Sequence, residues 1–403
     1  MNSYFASVEQ QANPFLRGKP IGIIGKDQKR TIVATASIEA KRLGVKTAMS
    51  TWEAKKICPS IIFVPGDSQK YGFITNAFNE LFLEFTDRVE QFSVDESFLD
   101  ITEQAKDYFG AAWIGQRLRV RLKEVCGEWI TASIGIAPNK LLAKLASESV
   151  KPNGLTIIQE EDAIRLLDSQ KLNDLCGIGS RTAKRLNGLG IMNFKQLREF
   201  PIKELVDEFD SLGFWLHEAA HGRNDSEVNS EETDPKSIGH SYTLPHDTFD
   251  TALVRRYLLG MCEKVAWRLR RDGFVAQTLS VYIRYGDFSG AGKQCVLKES
   301  LSNGLDLFHV TWRLIESVRD PSQPIRLIGI TTFHLSRSKP TMRLFSTEAG
   351  SVFGEKKEQK TVSVLSALDK LQHRYGDKAW TRASLLPIEL KERSSGFHYD
   401  HEL

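Results

Sequence analysis

Apolar and polar residues alternate with two different periods in the first half of the chain. Apolar side chains recur every three or four residues over 71–86 and over 111–125, which predicts two amphipathic helices. Between these helices, the apolar runs 89–94 and 98–101 predict a β-hairpin, and 130–137 predicts a further strand. The order becomes β-α-β-β-α-β, a ferredoxin-like arrangement, if one more strand precedes residue 1.

Shorter elements flank this pattern. The chain begins abruptly in a strand-to-helix transition over 1–11, and a helix over 139–149 ends at the K-P-N-G breaker of Lys151 to Gly154. A small mixed subdomain is expected over 14–66, with strands at 21–24 and 31–36 and helices at 37–45 and 51–58.

The second half of the chain contains a helical region and then a repeat of the first pattern. Residues 160–222 form a series of short helical segments, and the acidic stretch 225–235 has almost no large apolar side chain, which is typical of a linker. Residues 237–336 again read as strand, helix, strand, strand, helix, strand, and 362–375 adds one amphipathic helix. The fold class is therefore α+β with several domains.

Length and charge narrow the class of protein. A chain of 403 residues is too long for one core and suggests about three or four domains. The formal net charge is only +3, but 16 basic residues face nine acidic ones between residues 236 and 343. Such an excess suits a domain that contacts a phosphate backbone, and it also suits solvated helix faces. Charge alone leaves both interpretations open.

Cysteine spacing and hydropathy bear on the compartment. The five cysteines are widely spaced and include no C-x-x-C pair, so neither a zinc site nor a disulfide framework is indicated. No apolar run approaches the roughly 18 residues of a membrane helix, and no secretory signal is visible. We expect a cytoplasmic protein without a membrane partner.

The strongest candidate for chemistry is the acidic pair Asp95 and Glu96, within the apolar run S-V-D-E-S-F-L-D-I-T. Neighbouring side chains of a strand point to opposite faces, so the two carboxylates converge only if the backbone bends at a hairpin turn. At the edge of a core, two such acids share a cation or lose a charge. An acidic pair by itself is equally typical of a solvated turn.

A glycine-containing hairpin gives an independent signal. Gly177 and Gly179 lie between two helical segments of L-C-G-I-G-S-R-T-A-K-R-L-N-G-L-G-I, and a helix is expected to start near Ser180. Unshielded N–H groups at a helix N-terminus suit a phosphate, and the spacing is that of a helix-hairpin-helix, which holds nucleic-acid backbone. A glycine cap between two packed helices is the alternative. Together with the acidic pair, this indicates metal-assisted phosphoryl transfer on a nucleic acid, for which a third acid is expected nearby.

Several motifs in order resemble the Y-family DNA polymerases, the lesion-bypass group that includes the DinB (polymerase IV) and UmuC types. These motifs are N-S-Y-F-A-S-V-E from Asn2, V-A-T-A-S-I-E-A-K-R-L-G-V from Val33, S-V-D-E-S-F-L-D from Ser93 and A-S-I-G-I-A-P-N-K-L-L-A-K-L-A-S from Ala132. The resemblance covers about residues 1 to 340. It implies a right-hand polymerase with a palm (1–9 and 67–158), fingers (10–66), a helical thumb (159–224), a linker (225–236), a little finger (237–340) and a C-terminal tail (341–403).

The resemblance also implies roles for single residues. Asp95 and Glu96 would be the catalytic metal ligands for two Mg²⁺ ions, together with the backbone carbonyl of Met1. The nucleotide-binding positions would be Tyr4, Phe5, Thr35, Lys41 and Lys151. Among these, Phe5 would block a ribose 2'-hydroxyl, and Lys151 would reach the triphosphate. Gly177 and Gly179 would contact DNA.

The chain departs from the family pattern at three places. The family has an aspartate immediately before the position of Met1, so we expect the third metal ligand and its strand to lie upstream of this sequence. Where many members have Tyr and Arg, this chain has Ile38 and Lys41, which lose a hydrogen-bonding group and a bidentate fork. The run T-M-R-L-F, with Met342 to Phe345, only partly resembles the sliding-clamp peptide of the family.

The expected function is template-directed, low-fidelity DNA synthesis past damaged bases, in the DNA-damage (SOS) response. Its partners would be primer-template DNA, deoxynucleoside triphosphates and the sliding clamp. Two alternatives stay open at this point. The chain could be a non-catalytic adaptor of the same fold, which the Ile38 substitution favours and the acidic pair opposes, or a helix-hairpin-helix repair nuclease, which would not need Phe5 or the repeated C-terminal fold.

Overall fold

A computed structural model describes residues 1–25, 31–231, 233–337, 352–376, 379–386, 388 and 390. The chain divides into two compact units between residues 232 and 233, inside the stretch predicted as a linker. Across the described part of the chain, no helix has the length and apolar character needed to cross a bilayer.

The first unit opens with a small mixed layer. Its elements are α1 (Tyr4–Ala12), β1 (Ile21–Ile24), β2 (Thr35–Ala36), α2 (Ile38–Arg42), α3 (Thr51–Ile57) and β3 (Ile62–Pro65). Strand β1 lies in the centre, antiparallel to β2 and parallel to β3. The run expected at 31–36 forms a strand only at β2, and β3 was not predicted. The side chains of β3 are at most half-buried, so the segment has no clear apolar alternation, and pairing with the fully buried β1 determines its conformation.

The central part of the first unit contains the predicted helix, hairpin, helix, strand order. Its elements are α4 (Ser68–Phe82), β4 (Val89–Ser93), β5 (Glu96–Leu99), α5 (Tyr108–Cys126), β6 (Ile134–Ile136), α6 (Lys140–Ser149) and β7 (Leu155–Ile157). Strands β4 and β5 pair antiparallel, and β6 pairs parallel with β7, a strand the sequence did not predict. Within the described residues, these are two separate two-stranded sheets.

Two hydrogen bonds place residues 1–2 between these two strand pairs. The amino group of Met1 donates to the backbone oxygen of Asp95 at 2.6 Å, and the backbone N–H of Asn2 donates to the backbone oxygen of Thr131 at 2.8 Å. Below this connection, apolar side chains of α1, α4 and α5 form one core that includes Tyr4, Phe5 and Phe78. The start of the chain is therefore fixed against the hairpin that carries the acidic pair.

The rest of the first unit is helical, as predicted. It contains α7 (Ala163–Asp168), α8 (Ser180–Gly188), α9 (Phe194–Glu199), α10 (Ile202–Phe209) and α11 (Ser211–Ala220). The run at 172–175 forms a 3-10 helix over Leu172–Asp174. These helices share a core with Leu141 and Leu145 of α6, so the helical region packs directly on the end of the strand-containing part.

The second unit is a four-stranded antiparallel sheet covered by two helices. It contains β8 (Ser237–Thr248), α12 (Thr251–Arg271), β9 (Phe274–Tyr285), β10 (Gly290–Leu301), α13 (Gly304–Val318) and β11 (Ile325–Arg337), followed by α14 (Val352–Tyr375). The strand order is β10-β9-β11-β8, and the order of elements is the predicted β-α-β-β-α-β. Helix α14 begins ten residues before the predicted start at 362.

Candidate active site

The acidic pair lies at the turn of the β4–β5 hairpin, where the sequence predicted the bend. Val94 and Asp95 form the turn, and Glu96 is the first residue of β5. The Ser93 hydroxyl donates to Asp95 Oδ1 at 3.0 Å, and Thr75 of α4 donates to the Val94 carbonyl at 2.8 Å. Both acids are half-buried. The hydrogen bond from Thr75 thus attaches the turn to α4, and the turn presents two adjacent carboxylates at the edge of the core.

Helix α6 supplies lysines that pair with this hairpin. Lys140 pairs with Glu90 of β4 at 2.6 Å, and Lys144, one turn later, pairs with Glu96. Residues four apart lie on the same helix face, so both ammonium groups point toward the hairpin. Asn139 caps α6 by accepting from the Leu142 amide at 3.0 Å, which fixes where that face begins.

The charges continue from Glu96 along α6. Lys144 also contacts Glu148 at 2.9 Å, and Glu148 contacts Lys151 at 2.6 Å. Burial lowers the pKa of Lys144, but its hydrogen bonds to Glu96 and Glu148 outweigh burial and raise that pKa. Burial likewise opposes ionisation of Glu148, and the bonds from the two lysines hold its pKa below the usual value. Lys144 and Glu148 are therefore both charged at neutral pH.

Sequence reasoning named Lys151 but missed Lys144 and Glu148. Their i, i+4 spacing on the predicted helix over 139–149, directly before K-P-N-G, was the signal that could have identified them.

Two further basic groups lie within electrostatic range of the acids. Burial lowers the pKa of the Met1 amino group, while the carboxylates of Asp95 and Glu96 oppose that shift. Loss of hydration, followed by the positive charge of Lys151, lowers the pKa of Lys41, while Asp95 raises it. Lys41 on α2 is thus electrostatically coupled both to Lys151 and to Asp95.

The donor atoms suit a hard divalent cation. Carboxylate oxygens are the ligands that Mg²⁺ and similar ions prefer. Met1, Asp95, Glu96, Lys144, Glu148 and Lys151 line one end of a cleft whose remaining walls are the apolar faces of α5, β5 and β6. The pairing of Glu96 with an ammonium group shows that a positive charge is favourable at this point. The role of the Met1 carbonyl as a metal ligand stays a prediction. The hydrogen bond from Met1 to the hairpin turn is made by its amino group.

The aromatic positions lie in the core next to this site. The Phe5 ring stacks on Tyr71 with centroids 4.4 Å apart and planes 13° apart, and it is 9% exposed. The Tyr4 hydroxyl donates to the Tyr71 carbonyl at 2.7 Å, so its polar end is used inside the core. Tyr71 in turn donates to the buried carboxylate of Glu9 at 3.0 Å. Phe5 and Tyr4 are therefore fixed in position by packing.

The positions predicted to lie in the fingers are in β2 and at the start of α2. Thr35 pairs with Ile23 in the sheet, and Ile38 is the first residue of α2, one turn before Lys41. Ser37 caps α2, accepting from the Ala40 amide at 3.3 Å. Ile38 presents no polar group at this helix end, as the sequence indicated.

Glycine is required at only one of the two glycine positions of the predicted helix-hairpin-helix. Gly177 has a φ of +103°, and a Cβ there would lie 2.5 Å from the Trp215 ring, so both backbone and packing require glycine. Gly179 is the residue before α8, and a Cβ there would meet open space. The N–H groups of the first turn of α8 have no intrahelical acceptor, and Ile178 anchors the hairpin in the core. The backbone N–H groups of this turn can therefore donate to a phosphate oxygen near Gly179.

Several of the basic residues counted in the second unit are used internally. Arg270 forms a two-point ion pair with Asp369, Arg271 pairs with Asp272, and Arg255 lies over the ring of Trp312. Fewer basic side chains in this unit are therefore available to contact a phosphate backbone than the charge count suggests.

Comparisons with known proteins cover most of the chain. Residues 1–148 match the impB/mucB/samB family, and residues 235–343 match the C-terminal domain of that family. DNA polymerase IV of Bacteroides fragilis is 36% identical over 331 residues, which are 82% of this chain and 90% of the relative. DNA polymerase IV of Staphylococcus aureus is 36% identical over 338 residues, or 84% and 94% of the two chains.

Solved structures resemble the chain as well. A Y-family DNA polymerase chimera of Dbh and Dpo4 is 28% identical, with a TM-score of 0.75 over 84% of this chain and 98% of the chimera. The insertion ternary complex of Dbh DNA polymerase is 27% identical, with a TM-score of 0.56 over 84% of this chain and 98% of that chain.

Proposed function

Because the chain belongs to the impB/mucB/samB family and is a Y-family DNA-directed DNA polymerase of the DinB type, we propose that it extends primers past damaged template bases, with two Mg²⁺ ions held at Asp95 and Glu96. The Dbh ternary complexes and the polymerase IV relatives support binding of primer-template DNA and deoxynucleoside triphosphates. We also assign residues 1–9 and 67–158 to the palm, 10–66 to the fingers, 159–224 to the thumb and 237–340 to the little finger.

The observation that carries this proposal is the pair of carboxylates at the hairpin turn, surrounded by ammonium groups. Asp95 and Glu96 offer oxygen ligands to a divalent cation, and Lys41 and Lys151 lie within electrostatic range of the same point. A triphosphate is anionic, so it suits a site that combines lysine ammonium groups with carboxylates that bind divalent cations. Divalent ions bound at the carboxylates would neutralise charge on the attacking and leaving oxygens.

The side chains of this protein then orient the substrates. Lys151 would contact the phosphates as a point charge, and Lys41 would do so from the fingers without a bidentate fork. The Phe5 ring, held by Tyr71, would stand against C2' of the sugar. The open turn before α8 would hold a DNA phosphate through backbone N–H groups. None of these contacts depends on the identity of the template base, which suits copying of damaged templates.

The small size of the region assigned to the fingers also supports lesion bypass. Its described part has a separate core of eight buried residues, and α2 begins with the apolar Ile38. The clamp contact predicted at Met342 to Phe345 lies outside the described residues and stays a prediction.

The alternative of a non-catalytic adaptor of the same fold is favoured by one feature, Ile38 at the triphosphate position. The charged network around Glu96 favours the polymerase instead, because an adaptor would not need an acidic pair balanced by Lys144 and Lys151.

Primer extension on a template with a single abasic site tests the proposal. With Mg²⁺ and deoxynucleotides, the chain should insert opposite the abasic site and continue past it, and an undamaged template of the same sequence serves as the control. Extension that stops at the abasic site while the undamaged template is copied would contradict lesion bypass, and loss of extension on both templates would favour the adaptor.

A further inference from the structure

Two histidines lie at the end of α11, His217 in its last turn and His221 directly after Ala220, and their rings lie against each other. The ring centroids of His217 and His221 are 4.6 Å apart, with 48° between the planes. Residues four apart share one face of a helix, and Glu218 lies beside them. One ligand atom from each of the three side chains falls within 4.8 Å of the others. The cluster lies in the predicted thumb, apart from the acidic hairpin.

Hydrogen bonds determine which nitrogen of each ring is available. His221 Nδ1 lies 2.8 Å from the His217 carbonyl, which can only accept, so Nδ1 carries the hydrogen. His217 Nδ1 lies 3.2 Å from a carboxylate oxygen of Glu218. A carboxylate oxygen accepts, so this Nδ1 carries the hydrogen as well. With Nδ1 carrying the hydrogen, the neutral form of each ring has its lone pair at Nε2.

We propose that His217 and His221 bind one divalent transition-metal ion, with Zn²⁺ as the representative ion, through their two Nε2 atoms. Histidines that bind metals commonly donate their other ring N–H to a carboxylate or a backbone carbonyl, which is the arrangement at both rings here. Imidazole nitrogen suits Zn²⁺, whereas Mg²⁺ prefers oxygen ligands, so this site and the acidic pair would select different ions. Water molecules would complete the coordination.

Glu218 acts in this site as a positioning residue. Both of its oxygens bond the Arg223 guanidinium, at 2.6 and 2.7 Å, so they are already used in orienting the carboxylate toward His217. Removal of Glu218 should therefore weaken the binding of the ion without abolishing it.

The ion would join two successive turns at the end of α11. One residue beyond His221, the Gly222 carbonyl accepts from the Asn139 side chain at 2.8 Å, and Asn139 caps α6, the helix that carries Lys144. A bound ion would thus stabilise the helix end at the point where the predicted thumb connects to the active-site helix.

Calorimetric titration of Zn²⁺ into the full chain, with excess Mg²⁺ present, tests this inference. The exposed Cys176 is replaced by serine throughout, because a thiol could bind Zn²⁺ independently. One saturable ion per chain is expected, lost in His217→Ala and in His221→Ala and kept in the control His246→Ala, an exposed histidine of β8. Glu218→Ala should bind at least a few-fold more weakly.

A second measurement guards against variants that fail to fold. Zn²⁺ should raise the melting temperature of the parent and of His246→Ala but not that of His221→Gln, while the circular dichroism of all three remains the same. Zinc stoichiometry that is unchanged by both histidine substitutions, or the absence of saturable binding by the folded parent, would overturn the inference. Neither result bears on polymerase activity, so the two proposals fail separately.

Discussion

Lys144 forms an ion pair with Glu96, the second carboxylate of the hairpin turn, and the same ammonium group contacts Glu148. The lysine is 18% exposed and Glu96 31%, so the pair is partly shielded from water. A metal ion that binds Glu96 has to compete with this ammonium group. Lys144 therefore helps determine how strongly the site attracts divalent cations.

Replacement of Lys144 by methionine should increase the affinity for Mg²⁺. The substitution removes a positive charge next to the metal ligands, and we expect the dissociation constant to fall roughly tenfold at low ionic strength. Calorimetric titration of Mg²⁺ measures this directly. Lys123→Met, at an exposed position of α5, is the control for loss of a distant charge. Equal Mg²⁺ affinity in the parent and in Lys144→Met would show that the ion pair does not compete with the metal.

Replacement of Phe5 by alanine should admit ribonucleotides. The ring is held against Tyr71, and its loss opens space at the position assigned to C2'. We expect the preference for deoxynucleotides to decrease roughly tenfold or more, and stability to fall by about 3 to 5 kcal/mol because a buried ring is removed. Phe78→Leu, in the same core, should destabilise without changing sugar selectivity. Unchanged selectivity in Phe5→Ala would exclude the gating role.

Replacement of Gly179 by aspartate should separate DNA binding from folding. A Cβ meets open space there, and aspartate is a favourable residue before a helix, so the protein should fold at least as stably. The added negative charge should repel a DNA phosphate and weaken binding several-fold, most clearly at low salt. Fluorescence anisotropy with a primer-template duplex provides the measurement. Undiminished DNA affinity across the salt range would place the phosphate contact elsewhere.

The stabilising pair of Arg223 and Glu218 should depend on pH. Hydrogen bonds from Arg223, with a smaller contribution from His217, lower the pKa of Glu218 in the folded chain from 4.5 to about 2. A lowered carboxyl pKa stabilises the fold above the unfolded pKa, and this stabilisation is lost as the pH falls through about 4.5 toward about 2. Arg223→Met should thus cost up to about 1 kcal/mol near pH 7, a value kept small because the arginine is half exposed. The difference should vanish near pH 2.

Urea unfolding followed by tryptophan fluorescence measures this difference at several pH values. A cost of Arg223→Met that is constant from pH 7 to pH 2 would contradict the assigned pair.

The sequence predicted the elements that have a strong apolar period and missed those that lack one. The amphipathic helices α4 and α5 each bury one face, and they and the hairpin of β4 and β5 follow the predicted order. Strands β3 and β7 were missed because they are short, half-buried and determined by parallel pairing with distant strands. Strand β6 is shorter than expected for the same reason, since only three of its residues find a partner.

For the candidate site, the sequence predicted residues that belong to motifs and missed contacts that depend on tertiary packing. Motif resemblance identified Asp95, Glu96 and Lys151, which lie at one end of one cleft. It gave no indication that Lys144 pairs with Glu96, because an ion pair between a helix and a hairpin depends on the packing of α6. The stack of Phe5 on Tyr71 likewise joins residues 66 positions apart, and only the folded core brings them together.

The most direct test of the polymerase account is primer extension by Asp95→Asn compared with the parent chain. Asparagine keeps the size of the side chain and removes the charge at the hairpin turn, so folding and DNA affinity should be retained. The account predicts Mg²⁺-dependent extension by the parent and a loss of at least about a hundredfold in the variant, with unchanged DNA binding. Full extension by Asp95→Asn would contradict the assignment of this acidic pair as the catalytic metal site.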